Sequence, residues 1–274
     1  MHVPLGIVLA IVVAIVAVSG FTLYATGGFT LSAGKDAKAV LLESINKSNA
    51  VEDYDIKYAV SNAVRSETDN VEINGSMQIT KSGDKKRILY ELEFLGSQTV
   101  IEIYQAPGET VTCSAPLGKR QCQKIPTAPP VQSPVEQQEQ LKNQLEEGVV
   151  SLGYAGESRV AGRNCDAIKA AYDIQKLIQD SQLPAAGPGA SAIKSMTLDV
   201  CIDADSGLPL STTVNMVIDS QQAKGTVRTA LVATSFSLSA EKIEIPEAEE
   251  VQPVPLEGIG IDETGQDFEE NLTY

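Results

Sequence analysis

The sequence lacks tryptophan, contains one histidine, His2, and is only 5% aromatic. Catalysis by a nucleophile and a histidine base needs an imidazole beside the reacting atoms. Because His2 is the only histidine and lies at the start of the chain, the folded domain has no histidine for this role. Glycine-rich phosphate loops and CxxC pairs are also missing from the sequence. We therefore expect a protein that is not an enzyme and that uses no cofactor or metal.

Basic residues are scarce as well. There are 21 Lys and Arg against 36 Asp and Glu, which gives a net charge of −15. Because binding to nucleic-acid phosphates requires clustered Lys and Arg, this balance excludes a nucleic-acid partner. The acidic residues are concentrated at the C-terminus, where residues 246–274 show no apolar period and are predicted to be a disordered tail.

A long apolar run stands at the other end of the chain. No formally charged side chain occurs before Lys35, and about 20 apolar residues in a helix rise about 30 Å, enough to cross a bilayer. We predict a single-pass transmembrane anchor over 1–26 and a spacer over 27–34, with the bulk of the chain on the extracytoplasmic side of the cell membrane. A signal peptide cleaved after Ala33 is the alternative, although a basic n-region is missing. Three N-x-S/T triplets are candidate glycosylation sites: Asn46, Asn74 and Asn271.

Four cysteines follow the predicted anchor, which favours export and two disulfide bonds. The spacing predicts Cys113 paired with Cys122 across a short loop, and Cys165 paired with Cys201 between neighbouring strands. Because Cys165 shares a strand face with Lys169, we expect the second bridge on the solvent side of the sheet. Zinc is the rival interpretation, but no downstream histidine could complete a site.

Hydrophobic periodicity predicts an α+β fold. A helix is expected over 35–50, and period-2 runs from Tyr54 to Cys113 joined by short Gly and Asp turns predict an antiparallel meander. A second helix is expected from Pro134, with an apolar stripe made of Leu141, Leu145, Val149 and Leu152. A short helix capped by Asp173, further strands and a hairpin complete the pattern. The segment 203–207 has Asp and Gly in an order that suits a hairpin turn better than a calcium loop.

Two stretches near the end of the domain, VAGRNCDAI (160–168) and MTLDVCIDADSGLPLS (196–211), resemble the LolA/LppX-like superfamily of lipoprotein carriers. In that superfamily a strand opening with a Gly turn is followed by a strand ending in an Asp-x-x-x-Gly-x-Pro turn. The front half agrees in order, with a helix, a strand and the hairpin INGSMQITKSGDKKRILYELE. The resemblance implies a curved antiparallel sheet, an incomplete β-barrel, with helices covering its open side, over 35–245.

The resemblance also implies a hollow that holds acyl chains. A domain tethered by an anchor cannot diffuse between membranes, so we expect local, non-covalent binding of a lipid, lipoprotein or other apolar ligand. The alternative is a structural or regulatory cell-envelope interaction domain without a ligand cavity, whose protein partner the sequence does not name. The candidate cavity residues are those of the apolar strand faces: Tyr54, Ile56, Tyr58, Met77, Ile79, Tyr90, Leu92, Phe94, Leu198 and Val200.

Overall fold

The computed structural model describes residues 35–66, 70–94, 97–115, 120–125, 143–176, 193–219 and 224–250. The predicted anchor 1–26, the spacer 27–34 and the tail beyond Glu250 lie outside these residues, so the prediction of an anchor remains untested. Within the described ranges no helix is both long enough and apolar enough to cross a membrane.

Helix α1, Ala37–Ala50, forms where the 3.6-residue period predicted it. Asp36 caps its start by accepting a hydrogen bond from the Lys38 N–H at 3.1 Å, and Val51 ends it in an extended conformation. Its buried residues repeat at i, i+4 and i+7, which places them on one face of the helix: Ala37, Leu41, Ser44 and Ile45.

Twelve strands of the described ranges form one sheet. The strands are β1 Asp53–Ser66, β2 Asn70–Ser82, β3 Lys85–Phe94, β4 Ser97–Ala106, β5 Glu109–Ser114, β6 Gln121–Ile125, β7 Val150–Val160, β8 Arg163–Tyr172, β9 Ile193–Asp203, β10 Pro209–Asp219, β11 Lys224–Ser237 and β12 Glu249–Glu250. Their order is β12-β6-β5-β4-β3-β2-β1-β11-β10-β9-β8-β7. All neighbours pair antiparallel except β12, which pairs parallel to β6. This linear order leaves the sheet unclosed, as an incomplete barrel requires.

The sheet is strongly curled at its β7 side. In a flat sheet, β7 and β11 would lie about 19 Å apart, because four steps of about 4.8 Å separate them. In the structure β7 comes into contact with β11, and α1 also contacts β7. The strands from β11 to β7 therefore wrap around a common interior, and we call the face of the sheet that carries the main core cluster the inner face.

Helix α1 lies across one end of the sheet, which we call the helix end. Lys47 Nζ donates to the Ala204 carbonyl at 2.7 Å in the turn between β9 and β10. Gly207 in the same turn approaches α1 so closely that a Cβ there would lie 2.4 Å from the Ser44 carbonyl oxygen. At the C-cap of the same helix, Lys81 Nζ donates to the Val51 carbonyl. The C-terminal part of α1 is therefore held by both the β9–β10 turn and β2.

The helix predicted from Pro134 through Leu152 is wrong in its C-terminal part. Residues 143–146 are helical, but Gly148 has a φ of +65° and β7 begins at Val150. Glycine in this left-handed conformation is a common helix terminator, and the β-branched residues that follow favour a strand. Val149 and Leu152 still belong to the main core, as strand and turn residues. The residues from 126 to 142 lie outside the description.

Both predicted disulfide bonds are present, Cys113–Cys122 and Cys165–Cys201. The expected solvent-side position of the second is wrong, since Cys165 is 1% exposed and Cys201 is 5% exposed. Strand alternation assigns a side chain to a face but does not reveal whether that face is covered. Here both cysteines belong to the main core cluster.

The C-terminal part of the described chain covers a second, smaller cluster on the outer face. Ile243 packs there against Tyr104, Val111 and Cys113, and Lys85 Nζ donates to the Ile243 carbonyl at 3.5 Å. Residues 249–250 then add β12 to the sheet. Residues 246–250, which the sequence analysis assigned to the tail, are thus part of the folded structure.

Candidate ligand-binding face

The inner face can be read as transverse rows, because residues directly paired across neighbouring strands project from the same face. Far from α1, one row runs over seven strands, from β2 to β7, through unbroken pairing. We call it the rim row, and all its members are apolar or aromatic: Val71, Val64, Val227, Met216, Met196, Tyr172 and Val150.

The rim row is only partly covered. Val71, Val64, Met216 and Met196 are half-buried, whereas the other three members are buried. The four half-buried members lie on β2, β1, β10 and β9 within one apolar row, unlike the single exposed apolar residues that any protein carries. It forms one edge of the concave wall.

The next row toward α1, which we call the middle row, is fully buried. It consists of Ile73, Asn62, Thr229, Val214, Leu198, Ala170 and Leu152. Two polar residues stand side by side in its centre. Asn62 is 3% exposed and Thr229 is 2% exposed, and they face each other across β1 and β11. The amide nitrogen and oxygen of Asn62 and the hydroxyl of Thr229 have no hydrogen-bond partner among the described residues.

The helix end of the inner face is solid core. Ile56, Tyr58, Leu41 and Ile45 belong to one buried cluster there, so α1 closes this end of the sheet. The Tyr58 hydroxyl donates to the Pro209 carbonyl at 2.7 Å, and burial raises the pKa of Tyr58 far above its usual range. The inner face is therefore packed at the helix end and only partly covered at the rim.

The structure brings the predicted cavity residues together on the inner face. Five are buried in the main core, namely Ile56, Tyr58, Met77, Tyr90 and Leu198. Four are half-buried and pack against that core, namely Tyr54, Ile79, Leu92 and Val200. The Phe94 side chain lies outside the description. Most of these residues lie nearer to α1 than the rim row does, so the half-buried part of the wall is formed largely by other residues.

The residues that sequence reasoning missed are those of the rim row and the polar pair. Asn62 and Val64 continue the period-2 pattern of Ile56, Tyr58 and Val60, so an apolar strand read to its end would have included them. Their partners on β11 are more than 160 positions away, and only the strand register places them beside β1.

Two lysines lie at the helix end of the inner face. Lys81 and Lys86 face each other across β2 and β3, and Lys81 is held by the Val51 carbonyl. Burial lowers the pKa of Lys86, and the positive charge of Lys81 lowers it further. Tyr54 lies beside Lys81 on β1, and burial raises its pKa to about 12.

The segment 203–207 is a hairpin turn, as its Asp and Gly residues predicted. Asp203 is 1% exposed and accepts from Arg163 Nε at 2.6 Å and from Ser206 Oγ at 2.6 Å, while Asp205 accepts from Arg163 Nη2 at 3.0 Å. Burial opposes the charge of Asp203, but the hydrogen bonds from Arg163 and Ser206 hold its pKa below its usual range. Across the described ranges, no three His, Cys, Asp or Glu side chains form a group that could hold a metal ion.

A polar cavity of about 240 Å³ lies between α1, β8 and this turn, beside the contacts that join α1 to the turn. Lys35 enters it from the N-terminal side of α1 and donates to Asp166 Oδ1 at 2.8 Å, and it also pairs with Glu157 at 3.2 Å. The Tyr154 hydroxyl donates to the same Asp166 oxygen at 2.8 Å. The Lys35 and Asp166 side chains of this cavity therefore satisfy each other and hold the start of α1 against β8.

The predicted glycosylation sites differ in their surroundings. Asn74 is exposed on β2, where its amide donates to Glu72 at 3.4 Å. Asn46 is exposed on α1, and Asn271 lies outside the described residues.

Neither a family profile nor a curated protein matches the chain. Solved structures do match it. LppX from Mycobacterium tuberculosis matches with 10% identity and a TM-score of 0.37, over 77% of this chain and 100% of LppX. MucB from Pseudomonas aeruginosa, in its complex with MucA, matches with 14% identity and a TM-score of 0.34, over 74% of this chain. An uncharacterized conserved protein from Thermus thermophilus matches with 15% identity and a TM-score of 0.39, over 79% of this chain and 99% of that protein.

The chain spans 57–65% of the length of the MucB chains that it matches. The matches also include a putative outer membrane lipoprotein-sorting protein domain. At these identities and scores the likeness concerns the outline of the fold, and the chemistry of the site has to come from this chain's own residues.

Proposed function

We propose that this chain is a membrane-tethered, extracytoplasmic, non-enzymatic domain that binds a lipid or another apolar ligand non-covalently. The observation that carries the proposal is the rim row, a seven-strand apolar row whose members Val64, Val71, Met196 and Met216 remain half-buried. Because exposed apolar surface is unfavourable, a contiguous row of this kind is typical of a surface that another apolar molecule covers.

The shape of the sheet supports the same proposal. The linear strand order leaves the barrel open, and the curl that brings β7 to β11 makes the inner face concave. Ligand sites are usually concave and mostly apolar. Each methylene buried against such a wall contributes about 0.8 kcal/mol, so an acyl chain of ten methylenes gains about 8 kcal/mol before the cost of association.

Location is supported by features outside the binding face. The uncharged run before Lys35 is long enough for a membrane anchor. Two disulfide bonds fit an oxidising compartment, where such bonds form and persist. Both features agree with a domain held outside the cytoplasm, where acyl chains of the nearby bilayer are within reach.

The first test is to purify the full-length chain, exchange it into an amphipathic polymer and extract it with organic solvent. We expect stoichiometric lipid by mass spectrometry, and binding of the fluorescent fatty acid cis-parinaric acid after delipidation. A matched pair of variants on β10 locates the site. Met216 belongs to the rim row, whereas its neighbour Val217 projects from the outer face and is 41% exposed.

Met216→Glu places a charge against the ligand and should weaken parinaric acid binding at least tenfold. Val217→Glu changes the same strand by the same charge and should leave binding unchanged. Equal effects of the two variants, or no lipid and no probe binding in the unmodified chain, would count against ligand binding. The second result would favour an interaction domain of the cell envelope without a ligand cavity.

A further inference from the structure

The polar pair Asn62 and Thr229 is unusual within the inner face. Both side chains are more than nine-tenths buried, and they lie between Ile73 and Val214 of the middle row. Three polar atoms, Asn62 Nδ2, Asn62 Oδ1 and Thr229 Oγ1, have no hydrogen-bond partner among the described residues. The pair therefore presents two donors and two acceptor oxygens in an otherwise apolar row.

Buried polar atoms in folded proteins are nearly always hydrogen-bonded, because leaving them unpaired costs free energy that a hydrocarbon side chain at the same position would not cost. Val or Leu at positions 62 and 229 would fit the row of Ile73, Val214 and Leu198. The sequence instead has an amide and a hydroxyl here, on two strands far apart in the chain. This indicates a polar group of a ligand that forms hydrogen bonds with them.

The position of the pair limits what that group can be. Asn62 lies two residues from Val64 of the rim row, which corresponds to about 7 Å along β1. A charged headgroup would lose its hydration at that depth, and the side chains facing the pair across neighbouring strands carry no opposite charge. A neutral carbonyl can be buried there if it receives a hydrogen bond.

We propose that Asn62 and Thr229 form a binding point for the acyl carbonyl of the ligand, so that the chain takes acyl esters or acyl amides rather than plain hydrocarbons. Asn62 Nδ2 donates to the carbonyl oxygen, and the Thr229 hydroxyl donates either to the same oxygen or to Asn62 Oδ1. The hydrocarbon on either side of the carbonyl contacts the half-buried members of the rim row. This inference rests on the proposed ligand binding and adds the class of ligand to it.

The test compares two lipids that differ only in the carbonyl, a pyrene-labelled diacylglycerol and its diether analogue, on the delipidated full-length chain. The unmodified protein should bind the ester about fivefold to tenfold more tightly than the ether, which is what one or two neutral hydrogen bonds contribute. The double variant Asn62→Leu and Thr229→Val should bind both lipids alike. If the double variant does not fold, Thr229→Val alone carries the comparison.

The matched control is Thr212→Val. Thr212 is buried on the same face, one row closer to α1, where it pairs with Leu231 of β11. This variant removes a buried hydroxyl from the face without touching the pair and should keep the preference for the ester. An ester preference that survives the double variant, or an unmodified protein that does not distinguish ester from ether, would overturn the carbonyl site while leaving lipid binding intact. Failure of the unmodified protein to bind either lipid would overturn lipid binding itself.

Discussion

Gly207 offers a direct test of how α1 is held across the helix end. Its φ is +72°, a left-handed conformation that costs an alanine about 1–2 kcal/mol. It also has no free space on its Cβ side. A Cβ at this position would lie 2.4 Å from the Ser44 carbonyl oxygen and 2.9 Å from the Lys47 Cβ, both on α1. Because the nearest atom belongs to the helix backbone, α1 itself would have to move.

The magnitude follows from these two contributions. Forcing an extra carbon into a packed contact costs about 1–3 kcal/mol, so Gly207→Ala should lower the free energy of unfolding by about 2–5 kcal/mol. Gly108 isolates the first contribution. Its φ is +74° and no atom lies within 4 Å of the position a Cβ would take. Gly108→Ala should therefore cost only about 1–2 kcal/mol.

Urea unfolding of the two full-length variants, followed by circular dichroism under identical conditions, measures the difference. We expect Gly207→Ala to be the less stable by about 1–3 kcal/mol. Equal losses in the two variants would mean that α1 does not rest on the β9–β10 turn, and the closed helix end of the inner face would then have to be abandoned.

Three further outcomes are expected around β8 and the β9–β10 turn. Asp203→Asn should lower the free energy of unfolding by about 2–3 kcal/mol, because Arg163 loses its buried partner. The control Asp205→Asn, at a side chain that is 85% exposed, should change it by less than about 0.5 kcal/mol. Similar losses in the two variants would contradict the buried ion pair. The folded state lowers the pKa of Asp203 below its ordinary 3.8, so its stabilising effect is complete above that value and is lost as the pH falls through the lower, folded value. The stability gap between the unmodified protein and Asp203→Asn should therefore narrow as the pH is lowered from 7 to 3 in chemical denaturation, and a constant gap would refute the coupling. Cys201→Ser should lower the free energy of unfolding by about 2–5 kcal/mol and leave one free thiol, on the buried Cys165, which a thiol reagent detects after unfolding in urea. Thiols detected in the unmodified protein, unfolded in urea without a reductant, would show that the bond is absent.

Much of this fold follows from local pattern. Strands such as β1 and β9 alternate so regularly that their inner faces could be assigned residue by residue, and Asp36 marks the start of α1 through its capping side chain. The pairing of Cys165 with Cys201 follows from the same reasoning, because two neighbouring strands carry them. Local pattern fails where it is ambiguous. Leu152 fits a helical stripe with Leu145, and only the left-handed Gly148 between them shows that the chain leaves the helix.

Whether a side chain is buried was harder to predict than the face of the sheet on which it lies. The strand period places Cys165 and Lys169 on the same face of β8, and Lys169 is exposed there. Cys165 is nevertheless buried, because the curl of the sheet covers part of that strand and leaves the rest open. Prediction from strand alternation assumes that all residues on one face of a strand are equally exposed to solvent. In a curled sheet this assumption fails, because exposure changes along a single strand.

The binding face depends on information that no single segment contains. Asn62 in its own strand looks like the polar end of an apolar stripe, and Thr229 looks like an ordinary β-branched strand residue. Placed side by side by the β1–β11 register, and flanked by Ile73 and Val214, they become a polar pair inside an apolar wall. A one-residue slip of that register would turn Thr229 to the outer face and leave Asn62 beside an exposed residue. The chemistry proposed for this face is therefore a property of the register, and the ester-to-ether comparison tests the register and the chemistry together.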